Sequence, residues 1–324
     1  MTIPVLIDTD PGIDDALALL LAFASRELSV EAITTVAGNV PVERCSANVL
    51  RILEMVKPSR LPMVAQGSQS PLVRPLVSAG YVHGDDGLGN LEQFINQDRS
   101  PRYPPVQGRP GGAGGVDLML EMAQRFAGEL VLVALGPLTN LALALERDPK
   151  RMAGIRRLVV MGGAVACPGN VTPVAEFNFY VDPEAAQRVL VAGLPVELIP
   201  LDVTRQVVLS RSALDARLAR QRGPIAQFIS DFTQAAFEFG ERVGEGGLTL
   251  HDPLAVAVAL DPTLVTFTAL HVQVECGGTL TRGMAVADRR SRPRQTPPNC
   301  RVATGVAAPR FLSVFLDRVC LASS

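Results

Sequence analysis

Residues 3–23 of the chain, IPVLIDTDPGIDDALALLLAF, connect two apolar runs through a turn that contains four carboxylates. The first run, at residues 3–7, has the composition of a buried strand, and Leu17 to Phe23 has that of a helix. The four acids are Asp8, Asp10, Asp14 and Asp15. They therefore stand where a strand passes into a helix, with Pro11 and Gly12 forming the turn.

Four like charges packed so closely repel one another, and burying them without compensation would cost several kcal/mol. A hard divalent cation with oxygen ligands, calcium or magnesium, would compensate them. The structural alternative is a solvated acidic turn in which Asp8 or Asp10 caps the helix. A cap needs only one acid, so the cluster favours a metal site.

The composition is that of a globular protein, because 48% of the 324 residues are hydrophobic and 19% are charged. We expect residues 1–324 to form a single domain, near the upper size for one hydrophobic core. The net charge of −2 predicts no attraction to nucleic acid or to acidic membranes. Five scattered cysteines without a CxxC pair predict reduced thiols, and we expect neither a signal peptide nor a membrane span. The expected location is therefore cytoplasmic.

Short β-branched runs alternate with amphipathic stretches along much of the chain. The predicted strands are 3–8, 30–36, 130–135, 158–161 and 196–200, and the predicted helices are 13–25, 42–57, 115–127, 138–147 and 183–192. This alternation predicts an α/β protein with an open, mostly parallel sheet flanked by helices. Such sheets bind ligands at the carboxyl ends of their strands, where the acidic cluster lies.

Other segments depart from this alternation. Residues 66–114 are rich in Gly, Pro and Ser and predict one long surface excursion. Residues 210–241 are predicted to be helical, and a final helix is expected at about 308–321. Two arginine-rich stretches, at 205–222 and 282–301, contain no aromatic residue, so we interpret them as solvated faces rather than nucleic-acid sites.

Further polar groups follow predicted strands or lie in loops. They are Asn39, His83, the backbone at Leu135, the group Asn170, Glu176, Phe177 and Asn178, and the pair His251 and Asp252. Each has an ordinary structural alternative: Asn39 could bond a local turn, and Asp252 could be the N-cap of the helix that follows. Asp252 is also the obvious distant carboxylate to complete a metal shell begun by Asp10 and Asp15.

Together these motifs resemble those of the calcium-dependent nucleoside hydrolases of the inosine-uridine preferring type. The segment DTDPGIDDA at 8–16 is similar to the signature of that family. The other motifs follow in the family's order: AGN at 37–39, HG at 83–84, LGPLTN at 135–140, GNVTPVAEFN at 169–178 and HDPLA at 251–255. The resemblance weakens only after about residue 280. It implies a Rossmann-like nucleoside hydrolase fold that assembles as a homodimer or homotetramer.

The resemblance implies a metal site and a reaction. By position, Asp10, Asp15, Asp252 and the main-chain oxygen of Leu135 look like the ligands of Ca²⁺. The ion would hold a water molecule whose proton Asp10 accepts, and His251 would protonate or polarise the departing base. The implied reaction is hydrolysis of the N-glycosidic bond of a ribonucleoside to ribose and free base, as in purine and pyrimidine salvage.

The resemblance also implies a substrate site. The ribose-binding residues would be Asp14, Asn39, Asn170, Glu176 and Asn178, and the base would lie against His83 and Phe177. Residues 239–247, FGERVGEGG, predict a flexible lid with no Tyr or His, in which Arg242 could contact the leaving group. The chain has no Trp, so it cannot clamp a base between tryptophans as purine-specific relatives do, and the base preference stays open.

Three other functions compete with this hypothesis. Hydrolysis of another N-riboside, such as nicotinamide riboside, would use the same ribose site. A calcium-dependent ribose or nucleoside binder without turnover is disfavoured because Asp10, Asp14, His251 and Asp252 are all present. A magnesium phosphohydrolase would need a cation over the phosphate and a different nucleophile motif, and we find neither.

Overall fold

The computed structural model describes residues 2–106, 108, 110–112, 114–221, 223–290 and 296–320. The strands are β1 (Ile3–Thr9), β2 (Leu28–Thr35), β3 (Met63–Gln66), β4 (Val131–Ala134), β5 (Arg157–Met161), β6 (Val196–Ile199), β7 (Val208–Leu209), β8 (Leu248–Thr249), β9 (Val265–Leu270), β10 (Val272–Val274), β11 (Ala285–Ala287) and β12 (Cys300–Val306). The helices are α1 (Ile13–Ala24), α2 (Val42–Val56), α3 (Gly80–His83), α4 (Gly115–Arg125), α5 (Thr139–Arg147), α6 (Pro149–Met152), α7 (Phe177–Val181), α8 (Pro183–Leu190), α9 (Leu201–Thr204), α10 (Arg211–Leu218), α11 (Pro224–Val243), α12 (His251–Leu260) and α13 (Ala308–Val319).

Eight strands form one central sheet in the order β3-β2-β1-β4-β5-β6-β12-β9. All neighbouring pairs are parallel except β12 and β9, which are antiparallel. The prediction of an α/β protein with a mostly parallel sheet is thus confirmed. The strand order reverses between β1 and β4, and parallel sheets form a crevice for ligands at such a point.

Both faces of the sheet are covered, which explains why its strands are apolar without alternation. Along β1, Val5 and Ile7 belong to one core and Leu6 to the other, and all three side chains are buried. Helices α1, α11, α12 and α13 cover the first face, and α4, α5 and α8 cover the second. Strands β1 and β4 are parallel neighbours, so the two predicted site segments that follow them leave the sheet on the same side.

The predicted helix at 210–241 is in fact two helices, α10 and α11. Pro224 begins α11, and a proline at the first helical position cannot donate the hydrogen bond that would continue the preceding helix. The excursion at 66–114 is also not purely a surface segment, because Leu88, Leu91 and Tyr103 are buried in the core. Of the arginine-rich stretches, residues 222 and 291–295 lie outside the described residues, as does residue 321 at the end of the predicted last helix.

The interpretation of the arginines as solvated is correct only in part. Arg301 is exposed, but Arg282 is partly buried: it lies over the ring of Tyr180 and donates to the carbonyl of the same residue at 2.8 Å. All five cysteines are unpaired, as expected. In the part of the chain that the structure describes, we find no helix with the length and apolar character that a membrane span requires.

Candidate active site

The acidic loop connects β1 to α1 and is held by its own last carboxylate. Gly12 is the N-cap of α1, and its N–H donates to Asp15 at 2.9 Å. Thr9 donates to the other oxygen of Asp15 at 2.5 Å. Asp15, and not Asp8 or Asp10, is therefore the carboxylate that caps the N-terminus of α1. The helix dipole also favours a negative charge at this position.

Asp10 lies between the chain segments that follow β2 and β4, close to a glycine of each. Its Oδ2 accepts the N–H of Asn39 at 2.7 Å, whereas its buried Oδ1 has no hydrogen-bond partner. A Cβ atom at Gly38 would lie 2.0 Å from Oδ2, and one at Gly136 would lie 2.4 Å from Oδ1. Glycine at both positions thus allows the two strand ends to close on this carboxylate.

Three buried carboxylates meet beside Asp10. Ligand oxygens of Asp14, Asp15 and Asp252 lie within 4.8 Å of one another. Burial and the neighbouring Asp14 raise the pKa of Asp252 well above its usual value, and burial raises that of Asp14 to about 6. Among the described residues, no lysine or arginine forms an ion pair with this group.

These observations fit a bound divalent cation. The charges are buried and close together, and one oxygen of Asp10 is orphaned, so the protein alone does not compensate the cluster. The donors are all oxygens, as hard cations prefer. Asp252 lies in the first turn of α12, whose N-cap is Leu250, so the alternative that Asp252 is the N-cap is wrong.

The predicted main-chain ligand, Leu135, follows β4 at the switch point. Its carbonyl oxygen accepts the amide of Asn178 at 2.6 Å, and the same amide reaches the carbonyl of Met161 at 3.2 Å. A carbonyl oxygen has two lone pairs, so the contact with Asn178 leaves one for a second partner. Both NH₂ hydrogens of Asn178 are used here, and its side-chain oxygen is left to accept.

Two polar side chains cover the acidic loop. Asn39 donates to the backbone oxygen of Asp10 and to Asp15, each at 3.2 Å. His83 accepts the N–H of Ile13 at its Nδ1, at 3.1 Å. Burial lowers the pKa of His83 to about 4, although the charge of Asp15 acts in the opposite direction. The neutral ring therefore carries its proton on Nε2, as a donor.

The loop after β5 carries the second polar group. Glu176 is the N-cap of α7 and accepts the N–H groups of Asn178, Gly163 and Phe179 at 2.8 to 3.1 Å. Burial raises its pKa to about 6. Asn170 accepts the N–H of Phe177 at 3.0 Å through its side-chain oxygen, so its NH₂ group is free to donate.

His251 begins α12, directly before Asp252. Its Nδ1 lies 2.8 Å from the hydroxyl of Thr204 in α9. Burial lowers the pKa of His251 to about 3, and the positive charge of Arg205 adds to this effect. The ring is therefore neutral at physiological pH, so it can polarise a leaving group by donating an N–H, but it is a weak source of a whole proton.

A cavity of about 320 Å³ unites these groups. It is lined by every predicted site residue except Asp10 and Asp15: Asp14, Asn39, His83, Leu135, Asn170, Glu176, Phe177, Asn178, His251 and Asp252. Asp10 and Asp15 are buried beside Asp14, with which both interact electrostatically. The structure thus gathers all the predicted residues in one place, although Asp14, predicted to bind ribose, lies in the carboxylate group.

Several further residues line the cavity although the sequence predicts no individual site role for them. Tyr81 from α3 and Phe239 from α11 form one wall, with ring centroids 6.2 Å apart. Arg205, Glu245 and Thr249 also line the cavity. Arg242 lies over the outside of the Phe239 ring instead and does not line the cavity. Phe239 and Glu245 belong to the predicted lid segment 239–247, and Tyr81 is two residues from the predicted His83.

Fold and site define a class of protein: an α/β protein with a mostly parallel sheet, whose buried aspartates can hold a metal ion beside a polar cavity. A model of the inosine-uridine preferring nucleoside hydrolase family matches residues 5–313. The chain belongs to this family, and the prediction of an N-glycosidic bond hydrolase acting on ribonucleosides is confirmed.

Individual relatives match over almost their whole length. The pyrimidine-specific ribonucleoside hydrolase RihA of Salmonella typhi is 39% identical over 322 residues, which are 98% of this chain and 99% of that protein. The probable uridine nucleosidase 2 of Arabidopsis thaliana is 35% identical, with 97% of each chain covered. The solved structure of a purine-preferring ribonucleoside hydrolase from Gardnerella vaginalis has a TM-score of 0.89 and 33% identity, with 98% of each chain covered.

Proposed function

We propose that this nucleoside hydrolase binds Ca²⁺ in its aspartate cluster and holds the ribose of a ribonucleoside in the adjoining cavity for hydrolysis. The observation that carries the proposal is the meeting of three uncompensated buried carboxylates with a cavity lined by amides, carboxylates and two neutral histidines. The substrate is a ribonucleoside, and the products are ribose and the free base.

The proposed metal ligands are Asp10, Asp15, Asp252 and the carbonyl oxygen of Leu135. When bound there, a calcium ion supplies a water molecule with a lowered pKa. Asp10 is the general base, because its unpartnered Oδ1 can accept the proton of that water. The oxygen of the water would then bond to C1′ while the C1′–N bond breaks with its electron pair left on the base nitrogen, and the proton accepted by Asp10 would return through solvent to that nitrogen to give the free base.

The ribose is held by groups whose roles follow from their other bonds. Asn170 offers NH₂ donors because its oxygen is occupied, and Asn178 offers an oxygen because its NH₂ is occupied. Glu176 retains acceptor capacity beyond its three backbone donors. With Asp14 and Asn39 these groups bind the hydroxyls, and the carboxylates stabilise the positive charge of an oxocarbenium-like transition state.

The base lies against His83, Phe177 and the wall formed by Tyr81 and Phe239. His251 donates an N–H to the base and so stabilises the charge that develops on it. Because the chain has no Trp, the aromatic surface for the base consists of Tyr81, Phe177 and Phe239 among the described residues. The relatives do not agree on the base: the Salmonella protein is pyrimidine-specific by name and the Gardnerella protein purine-preferring.

The test is a substrate panel with and without metal. Purified protein is incubated with purine and pyrimidine nucleosides and nicotinamide riboside, and free ribose is measured as reducing sugar. We expect release from nucleosides to stop after chelation and to return with Ca²⁺ more than with Mg²⁺. Release only from nicotinamide riboside would assign that substrate instead. Nucleoside binding by calorimetry without ribose release would contradict the mechanism and favour a binding protein.

We also propose that residues 1–324 form one domain, acting in the cytoplasm as a homodimer or homotetramer without nucleic-acid or membrane partners. Support for one domain is that strands from Ile3 to Val306 belong to the same sheet. The free cysteines suit a reducing compartment. Light scattering after gel filtration would give the mass in solution, and a monomer at micromolar concentration would contradict the assembly.

A further inference from the structure

Arg205 is an arginine of the cavity wall that the proposed mechanism does not use. It follows α9 directly, and its guanidinium is half-buried. One nitrogen donates to the carbonyl of Pro168 at 2.7 Å and another to the carbonyl of Gly169 at 2.7 Å. The guanidinium fork therefore grips two consecutive peptide groups, which immediately precede Asn170.

The same segment holds that loop from a second side. Asp202, in α9, accepts the N–H groups of Val165 and Ala166 at 2.8 and 2.7 Å. The loop after β5 is thus fixed by a carboxylate on its N–H groups and by Arg205 on its carbonyls. Gly169 is also closely surrounded, because a Cβ atom there would lie 2.2 Å from the oxygen of Ala175. A shift of Gly169 must accordingly move Asn170 with it.

A third residue of the segment 202–205, Thr204, connects it to the other side of the cavity. Thr204, the neighbour of Arg205, bonds Nδ1 of His251 at 2.8 Å. One short piece of chain therefore sets the position of the loop that carries Asn170 and orients the ring of His251. Among the described residues Arg205 has no carboxylate partner, so its hydrogen-bonding capacity is not drawn away from the loop.

We propose that Arg205 is a positioning residue that clamps Pro168 and Gly169 and thereby holds the amide of Asn170 at the cavity for the substrate. The proposal rests on the proposed role of Asn170 in binding ribose. Removing the clamp weakens ground-state binding of the sugar and leaves the groups that act on C1′ in place. It should therefore raise KM by roughly tenfold and lower kcat much less.

Two variants and one control test the clamp. Arg205→Met keeps the apolar stem and removes both hydrogen bonds, whereas Arg205→Lys keeps one charge but cannot span two carbonyls. Arg318→Met is the matched control, because it also removes two arginine hydrogen bonds, to Glu27 on the surface. Hydrogen–deuterium exchange of the peptide covering residues 165–178 reports loop order without any turnover.

We expect faster exchange of that peptide in Arg205→Met, an intermediate rate in Arg205→Lys, and no change in Arg318→Met. KM should follow the same order, equally for the best nucleoside of the panel and for 4-nitrophenyl riboside, since both carry ribose. Unchanged exchange in both Arg205 variants would overturn the clamp. Faster exchange with unchanged KM would overturn the role of Asn170 in ribose binding while leaving hydrolysis itself untouched. A larger loss for the nucleoside than for the aryl riboside would assign Arg205 to the base instead.

Discussion

At the scale of single residues, the surroundings of a side chain decide which of its atoms are left for chemistry. The two oxygens of Asp10 are an example. Oδ2 is fixed by the N–H of Asn39, and Oδ1 is buried without a partner. The backbones of Gly38 and Gly136 lie so close to the two oxygens that a side chain at either position would displace the carboxylate. Burial without a hydrogen-bond partner raises the free energy of the ionised Asp10, so Oδ1 is favoured to bind a cation or a proton.

Asp10→Asn tests that assignment. The amide keeps the shape of the side chain but cannot accept a proton, so kcat should fall by roughly 10²–10⁴-fold. In the metal-free protein the same change replaces a carboxyl group whose ionisation is disfavoured by burial and by Asp15, so the melting temperature in chelator should not fall. Asp98→Asn, at an exposed position, is the control and should leave kcat unchanged. A fully active Asp10→Asn enzyme would rule out Asp10 as the base.

The sequence motifs indicated the polar side chains of the candidate site but not the side chains that form the walls of the cavity. The aspartates, asparagines and histidines were predicted because they occur in compact motifs at strand ends. Tyr81 and Phe239 approach each other from helices far apart in the chain, and no local pattern marks such a pair. Arg205 was interpreted as solvated because runs of arginine usually are, and only the fold brings two carbonyls to it.

At the scale of elements, Asn140 shows how the strand ends are held in register. It is the second residue of α5 and donates to Asp8 in β1 at 2.8 Å and to the carbonyl of Thr35 in β2 at 3.0 Å. Its oxygen accepts the N–H of Ser68 at 2.9 Å. One buried side chain thus ties a helix to two strands and to the loop after β3.

Asn140→Ala should therefore be strongly destabilising. The change removes three hydrogen bonds and leaves a cavity at a buried position, and although Asp8 keeps the hydroxyl of Thr34 and the carbonyl of Thr35 keeps the N–H of Gly67, we expect a loss of roughly 2–4 kcal/mol in the free energy of unfolding. Urea denaturation of the metal-bound protein measures it. Asn96→Ala, which removes one bond between exposed side chains, should stay within about 0.5 kcal/mol of the wild type. Equal stability of the two variants would show that the Asn140 bonds do not hold the sheet edge.

The elements themselves were predictable where one residue pattern governed them. Strands β1, β2, β4, β5 and β6 are short runs rich in apolar residues in a parallel sheet, and the sequence predicts all five. The edge strand β9 has only its first and last residues buried, and β12 follows an arginine- and proline-rich stretch, so neither has a clear sequence signal. The break before α11 was missed although Pro224 marks it, because the flanking residues have good helical composition.

At the scale of the whole molecule, the reversal of strand order concentrates acids in the interior, and the stability of the protein should depend on metal and pH together. Burial raises the pKa of Asp8 to about 7, and burial with neighbouring charge raises those of Asp10 and Asp252 well above their usual value. The folded metal-free protein therefore binds more protons near neutral pH than the unfolded chain does. Its stability must decrease as the pH rises through these pKa values.

The test is the melting temperature in chelator between about pH 6.5 and pH 8. His83 and His251 oppose the trend only weakly: burial lowers their pKa values to about 4 and 3 and leaves them neutral in the folded state, whereas each unfolded histidine holds about half a proton at pH 6.5 and almost none at pH 8, less than the protons held by Asp8, Asp10 and Asp252 in the folded protein. We expect the chelated protein to melt at a lower temperature as the pH rises. Calcium should raise the melting temperature, and more at pH 8 than at pH 6.5, because protons compete with the ion for the same carboxylates. A chelated protein that is most stable at pH 8, or a calcium effect independent of pH, would mean that the aspartates are compensated by the protein alone.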